Sequence, residues 1–319
     1  MRRSNLLAAD GQTGEGLTLA VDRPSTAALR LEVAAGGRLL VRQGDQVVLL
    51  GQVDPKRWGV EVCRTGRYRS VLPPLRADHA RRIPEPGTPA WFGRWAHQFT
   101  TWLGETESAG PLHAGRWLVT PYSPPGSRDQ ECPWLSLWWR WALVRDDPGG
   151  YIDWDGNGWG GVLPLRRLPA SDAGRVKAYR KQAREGVLAP VLLWWVSGLD
   201  GHLLVDGHER LAAALAEECD PPMLVLARGL DADEEQYRLE QVELGHATRM
   251  EHLQRQVGAG SPGARQAVDA QRQRFTRACA EIPRDYGRTR AWPVPGGAHI
   301  WEQTAALEAP DWRSGATRQ

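Results

Sequence analysis

The sequence predicts an α+β protein, with a β-rich N-terminal region, a central unit of helices and strands, and a helical C-terminal extension. Short apolar runs alternate with Gly, Asp and Pro between residues 17 and 72, as in a series of short strands. Helix-type and strand-type runs alternate within residues 163–230, and a long helical pattern follows. These two observations together favour a mixed fold over an all-α or all-β one.

Length and charge limit the possible functions. A chain of 319 residues is too long to fold around one small core, so we expect more than one domain. Composition divides it into segments 1–75, 76–160, 161–230 and 231–319. Forty basic residues balance thirty-eight acidic ones, so the net charge of +2 does not indicate a nucleic-acid partner, although it leaves a local basic patch open. The N-terminus lacks the apolar run of a signal peptide, so we expect a soluble cytoplasmic protein with no membrane partner.

The N-terminal region has the pattern of an antiparallel meander or a small barrel. Its β-type runs include Leu29–Val33, Arg38–Arg42, Gln46–Leu50 and Gly59–Cys63. Gly-Gly, Gly-Asp and Asp-Pro pairs separate them at regular intervals, as turns do. The Pro-rich stretch that follows predicts a linker or long loop over residues 74–89.

Tryptophans dominate the next segment. A helix is predicted over Trp91–Gly104, with one aromatic face made of Trp91, Trp95, Phe99 and Trp102. Two strands are predicted at Trp117–Tyr122 and Leu135–Val144. Such aromatic side chains stack on a base or sugar in some proteins, but burial in a core is their commoner use and the one expected here.

Neither the cysteines nor the acidic turn predicts a metal. Cys63, Cys132, Cys219 and Cys279 form no Cys-x-x-Cys pair, which predicts four reduced and mostly buried thiols. The turn Asp153–Gly158 matches the first half of a calcium loop, but Pro164 takes the position of the bidentate carboxylate. An Asx-rich turn is therefore expected there.

The central unit has the clearest secondary-structure pattern. A helix is predicted over Asp172–Glu185, followed by strands Val191–Val196 and His202–Val205 around a Gly-containing turn. A helix over His208–Glu218 and a strand over Met223–Leu226 complete it.

Two interpretations fit the turn Asp206–Arg210. Gly207 permits close backbone approach, the helix N-terminus attracts anions, and His208 and Arg210 add donors suited to phosphate oxygens. Alternatively Asp206 is an N-cap, Glu209 completes a capping box and Arg210 pairs with a surface acid. The spacing alone leaves both open.

The strand, the run LLVDGHERLAAALAEE and the strand MLVLA resemble the nucleotide-binding core of the ParB/sulfiredoxin-like superfamily. This family includes CTP-dependent partitioning proteins, sulfiredoxins and free-serine kinases. The resemblance covers only residues 163–230 and implies that phosphates bind at Gly207, His208, Glu209 and Arg210, with Asp206 before them.

The turn departs from two of the three branches. His208 stands where sulfiredoxin needs its cysteine nucleophile, and the chain reads Gly-His-Glu-Arg where partitioning proteins carry Gly-Glu-Arg-Arg. The Asp-Gly-His-x-Arg turn is more similar to the serine-kinase branch, which implies that a carboxylate deprotonates a hydroxyl while Mg²⁺ screens the phosphoryl group. Asp206 or Glu209 is the candidate base, and Asp200 and Glu185 lie in the same unit.

Arg175 is a further candidate phosphate contact, because the segment LPLRRLPASDAGR corresponds to the family's first substrate-facing segment. The same arginine also fits the solvated face of a helix.

Beyond residue 230 the sequence predicts two helices, from Asp231 to Gln256 and then through Cys279. Residues 281–319 are loop-like, with Trp292, Trp301 and Trp312 available to dock back. The pattern indicates neither an oligomeric state nor a DNA-binding helix.

The expected function is that of a nucleotide-dependent enzyme. Phosphotransfer to an unknown small-molecule or protein acceptor is the preferred class, followed by hydrolysis, with ATP, ADP or CTP and Mg²⁺ as ligands. The alternatives are a nucleotide-gated binding module without catalysis and an interaction module that uses its tryptophans.

Overall fold

A computed structural model describes most of the chain. It leaves out five segments of four or more residues, one segment of two residues, and the side chains of residues 77–78. The described residues are 1–7, 13–105, 110–122, 140, 143–154 and 161–312. The chain divides into two compact units. The main unit comprises Met1–Ala227 and the chain from Thr289 onward, and the helical unit comprises Arg228–Arg288.

Strands and helices are both abundant in the described residues, which confirms the α+β prediction. The strands are β1 (Arg2–Leu7), β2 (Gly14–Val21), β3 (Leu29–Ala34), β4 (Arg38–Gln43), β5 (Gln46–Asp54), β6 (Gly59–Arg64), β7 (Gly115–Pro121), β8 (Gly149–Asp153), β9 (Gly161–Pro164), β10 (Val191–Val196), β11 (Gly201–Asp206), β12 (Met223–Arg228) and β13 (Ala291–Pro293). The helices are α1 (Ala77–Arg82), α2 (Pro89–Glu105), α3 (Gly174–Arg184), α4 (His208–Ala216), α5 (Ala232–Gly258), α6 (Ala264–Glu281) and α7 (Gly297–Glu308), with a 3₁₀ turn at Ile282–Arg284.

The first sheet has seven strands in the order β1, β2, β7, β12, β10, β11, β9. Strands from the segments 1–75, 76–160 and 161–230 all belong to this sheet. The segment boundaries that composition indicates at residues 75 and 160 therefore do not separate one sheet from the other. β10 and β11 form the predicted antiparallel hairpin, and β9 runs parallel to β11. The carboxyl ends of β9 and β11 therefore lie side by side at one edge of the sheet.

The second sheet contains the predicted meander. Strands β3 to β6 pair antiparallel in sequence order, and β8 extends the sheet beyond β6. The earlier run at residues 14–21 leaves this sheet and pairs instead with β1 and β7 in the first one.

The aromatic helix belongs to the core, as predicted. Trp91, Trp95 and Phe99 of α2 are buried in the main hydrophobic cluster, and Trp102 packs against it. Their spacing keeps all four on one helical face, so the stripe serves packing and not ligand stacking.

The expected loop over residues 74–89 is wrong in part, because it contains the short helix α1 and the first residue of α2. The prolines of this stretch lie outside α1, and the helix brings His79 against the rings of Trp95 and Trp102, at centroid distances of 5.9 and 5.6 Å. Helix α1 is too short to be stable alone, and it packs against these aromatic rings. The predicted strand Leu135–Val144 lies outside the described residues, except for Arg140 and the last two positions.

The expectation of a loop-like C-terminus is also wrong. β13 pairs in parallel with β3, and α7 begins after Gly296, whose backbone is left-handed. The docking of the late tryptophans is confirmed: Trp301 is buried and donates its indole N–H to the Leu39 carbonyl at 2.8 Å. Burial of one large ring against the second sheet thus fixes a segment whose composition resembles a loop.

The helical unit has the two predicted long helices. Asp231 caps α5 by accepting the N–H of Glu234, while the Glu234 side chain accepts the N–H of Asp231. None of the described helices has the length and apolar character that crossing a lipid bilayer requires.

The thiol prediction is only partly right. Of the described cysteines, Cys63 is buried, whereas Cys219 and Cys279 are partly exposed on helices or next to them. All three are free thiols.

We predict that Trp301→Ala lowers the free energy of unfolding by about 3–5 kcal/mol, because it removes a buried ring and leaves the Leu39 carbonyl without its indole donor. Urea denaturation of both proteins measures this difference. The control is Trp58→Ala, since Trp58 is 65% exposed and its loss should change stability by less than about 0.5 kcal/mol. Equal effects of the two substitutions would contradict the docking of α7.

Candidate functional site

The candidate site lies where β9 and β11 end. Arg166 follows β9 by two residues, and Asp206 is the last residue of β11. Because the two strands are parallel neighbours, both residues lie at the same sheet edge, where open α/β sheets commonly bind ligands. We call this the carboxyl-edge site, made of Arg64, Tyr68, Ser70, Arg166 and the five residues Asp206–Arg210.

Gly207 makes the turn from β11 into α4. Its φ is +94°, a left-handed conformation that side chains disfavour. A Cβ at this position would come within 2.9 Å of both Arg210 Nη2 and Val191 Cγ1. Glycine is therefore required by conformation and by space, and it brings the N-terminus of α4 directly to the sheet edge.

Asp206 does not cap α4, so the capping interpretation is wrong. Gly207 occupies the N-cap position, and among the described residues no side-chain cap hydrogen bond is formed there. Asp206 instead accepts hydrogen bonds from the Ser70 hydroxyl at Oδ1 and from Arg210 Nη2 at Oδ2, the latter at 2.6 Å. The reason is that Asp206 still pairs with Leu192 in the sheet, which turns its carboxylate toward the next turn of the helix.

Arg210 does not meet a surface acid, because both partners of its ion pair are buried. Its Nε also lies out of contact with solvent, with no acceptor among the described residues. The pair with Asp206 therefore uses only part of the donor capacity of this guanidinium.

The Glu209 carboxylate faces two arginines and does not complete the predicted capping box with Asp206. Its carboxylate accepts a hydrogen bond from Arg166 Nη2 at 2.8 Å and lies 4.0 Å from Arg175 Nη1. Burial by itself raises the pKa of Glu209, but the bonds from Arg166 and from its own backbone N–H, with both arginine charges, bring that pKa below its ordinary value. The residue is an anion placed at the N-terminus of α4.

His208 is fully buried, and its ring forms no hydrogen bond with any of the residues that the structure describes. Its ring lies 5.9 Å from that of Tyr68, and both ring nitrogens are without a partner among the described residues. Burial, followed by the charges of Arg166, Arg210 and Arg64, lowers the pKa of His208 well below its ordinary value. The imidazole is therefore neutral at physiological pH and can donate one hydrogen bond and accept one.

Four residues of the site were not predicted from the sequence. Arg166 was placed only within the segment LPLRRLPASDAGR, and Arg64, Tyr68 and Ser70 come from the end of β6 and the loop after it. Buried Arg64 donates to the carbonyls of Pro164, at 2.5 Å, and of Val144. Tyr68 donates its hydroxyl to the Val205 carbonyl, and Ser70 reaches Asp206. The one local signal was the basic run RTGRYRS directly after a strand.

The arginines give this site unused donors. The Nε atoms of Arg166 and Arg210 are both buried and lack acceptors among the described residues. A buried donor without a partner costs about 1–3 kcal/mol. An anionic ligand with several oxygens would satisfy such donors, and this is the chemistry that the arrangement suits.

The other predicted acids lie elsewhere. Asp200 is in the hairpin turn at the opposite end of β11, and Glu185 pairs with Arg81 and Lys181. In the part of the chain that the structure describes, no cluster of three or more His, Cys, Asp or Glu side chains is arranged to hold a metal ion. Most of the predicted Asx-rich turn, residues 155–158, lies outside that part.

No protein-family model matches the chain, and no curated protein or solved structure does so either. The functional proposal for this chain therefore starts from the geometry of the carboxyl-edge site. Its distinguishing features are buried guanidinium donors, a helix N-terminus and a hydroxyl that is hydrogen-bonded to a carboxylate.

Gly207→Ala is expected to destabilise the protein by about 1–3 kcal/mol or more, because alanine must adopt a left-handed φ and displace Arg210 or Val191. Urea denaturation checks the value. The control is Gly174→Ala at the start of α3, where a Cβ meets no atom within 4 Å and stability should change by less than about 1 kcal/mol.

The buried His208 should make the protein less stable as pH falls. Below its ordinary pKa of 6.5 the unfolded chain binds a proton that folded His208 does not, so the free energy of unfolding decreases with decreasing pH. The contribution reaches about 1.4 kcal/mol per pH unit. Denaturation between about pH 6.5 and 5 should show a weaker pH dependence for His208→Gln than for the wild type.

The matched control is His299→Gln, since His299 is exposed on α7. It should keep the pH dependence of the wild type. An unchanged slope in His208→Gln would show that this imidazole is not held neutral by the fold.

Proposed function

We propose that the carboxyl-edge site binds the phosphate groups of a nucleotide and that its preferred reaction is phosphoryl transfer, with hydrolysis as the next class. The observation that carries this proposal is the pair of buried Nε donors on Arg166 and Arg210, next to a helix N-terminus. Guanidinium groups and helix N-termini both bind phosphate oxygens in proteins.

The choice of a nucleotide over other anions rests on the resemblance of residues 163–230 to the ParB/sulfiredoxin-like superfamily. ATP, ADP and CTP are the candidates. Arg166, Arg210 and the neutral His208 supply donors, and Arg175 is placed to reach a ligand from solvent, with 56% of its side chain exposed. Gly207 keeps the space beside them free of a Cβ.

Mg²⁺ would come with the nucleotide. The described residues offer no three-ligand cluster, and magnesium commonly uses one or two carboxylates together with substrate phosphates and water. Glu209 and Asp206 are the nearby carboxylates. Asp206 is the better candidate for a general base, because it already accepts a hydrogen bond from a hydroxyl group.

The alternative is a non-catalytic interaction module that acts through tryptophan. One observation favours it: Trp58 is 65% exposed in a tight turn with φ of +50°. Elsewhere in the described residues the tryptophans are buried or partly buried, which fits a role in the core. A nucleotide-gated module without catalysis would use the same carboxyl-edge site.

Nucleotide binding is tested by thermal shift with ATP, ADP, CTP and GTP in the presence of Mg²⁺. A ligand at about 100 times its Kd stabilises the folded protein by about 2.7 kcal/mol. Arg166→Gln should weaken binding roughly 10- to 100-fold, since it removes a charge-assisted donor worth about 1.5–3 kcal/mol. Arg210 is the poorer target, because its removal leaves Asp206 buried without its cationic partner.

Two matched controls accompany this test. Arg167→Gln changes the exposed neighbour of Arg166, and Arg184→Ala is compared with Arg175→Ala on the same helix. Arg184 is as exposed as Arg175, 57% against 56%, and also faces a glutamate, but outside the site. No shift with any nucleotide, or equal losses in targets and controls, would refute the proposal.

A further inference from the structure

Ser70 is held against the carboxylate proposed as the base. Its hydroxyl donates to Oδ1 of Asp206, while Oδ2 of the same carboxylate accepts from Arg210 at 2.6 Å. The Ser70 proton therefore points at a carboxylate, and the oxygen lone pairs point away from it. A hydroxyl in this state has a proton acceptor in place before any reaction begins.

The position of Ser70 is fixed by its own loop. Two residues earlier, Tyr68 is buried and donates to the Val205 carbonyl of β11, next to Asp206. At the start of the loop, Arg64 is bonded to the Pro164 carbonyl at the end of β9. Both anchors lie on the strands that form the carboxyl-edge site, and Ser70 itself is partly exposed, so a ligand can reach it.

The charges beside Ser70 suit a phosphoryl group in transfer. Arg210 contacts the carboxylate that holds Ser70, and Arg166 lies at the same sheet edge. The Nε of each arginine is buried and has no acceptor in the part of the chain that the structure describes. Phosphoryl transfer places negative charge on the non-bridging oxygens, and arginine donors stabilise it. Hydroxyl, base and cations are thus brought together from three separate segments.

We propose that Ser70 is itself the phosphoryl acceptor, so that the protein phosphorylates its own chain at this site. The inference rests on the proposed nucleotide function. Ser70 Oγ forms a bond to the terminal phosphorus of a nucleoside triphosphate, and the bond from that phosphorus to the bridging oxygen breaks. The nucleoside diphosphate leaves with the electron pair of that bond, and the Ser70 proton passes to Asp206.

The test is incubation of the full chain with ATP or CTP and Mg²⁺, followed by mass spectrometry of the intact protein and its peptides. One phosphoryl group is expected on Ser70. The rate per molecule should not depend on protein concentration, because acceptor and base lie in the same chain. Ser70→Thr should retain the modification at the same position, and Ser70→Ala should lose it.

Asp206→Asn should slow the modification by about 100-fold or more, because the amide still accepts a hydrogen bond but cannot take a proton. Ser70→Ala preserves the Asp206–Arg210 pair, so it tests the acceptor even where Asp206→Asn does not fold. The matched control is Ser197→Ala at the far end of β10, where the hydroxyl accepts from the Thr289 N–H, and it should be modified like the wild type.

Thermal shift on the same samples separates the two proposals. A nucleotide shift without modification, or modification that persists in Ser70→Ala, overturns Ser70 as the acceptor and leaves nucleotide binding intact. A concentration-dependent rate overturns transfer within one chain. Absence of any nucleotide shift overturns both proposals.

Discussion

The buried ion pair between Asp206 and Arg210 is the interaction on which the carboxyl-edge site depends. It joins the last residue of β11 to the first turn of α4, across the turn that left-handed Gly207 makes between them. Removal of one partner from a buried ion pair lowers the free energy of unfolding by about 3–5 kcal/mol. The second carboxylate oxygen then holds Ser70, so one pair positions a strand, a helix and a distant loop.

The carboxylates at this site offset only part of the arginine charge. Glu209 faces both Arg166 and Arg175, and Asp206 pairs with Arg210. A phosphate bound by the same arginines must compete with Glu209, whose own charge repels it. Under the proposed function, this competition lowers affinity and speeds product release, which suits turnover better than storage of a ligand.

Local patterns were sufficient for much of the fold and for the turn at the candidate site, although spacing alone left the use of that turn open. The aromatic helix, the meander, the β10–β11 hairpin and the turn at Gly207 all follow from spacing and turn residues. The role of Asp206 did not, because a carboxylate before a helix suits a cap as well as an i,i+4 ion pair. Ser70 lies 136 residues from Asp206, and no local pattern reports such a contact. Helix α7 was missed because its decisive stabilisation is the burial of Trp301 against the distant β4.

The pairing of β13 with β3 has a consequence for the order in which the protein folds. The helical unit lies between residues 228 and 288 in the chain, so β13 and α7 leave the ribosome after it. Until then one apolar face of the second sheet, with Leu40, Val47 and Leu50, lacks the segment that covers it. The strands of this sheet other than β13 are complete at Asp153 and α7 begins at Gly297, so a newly synthesised chain exposes this apolar face while about 140 further residues are translated, at about 5–20 residues per second.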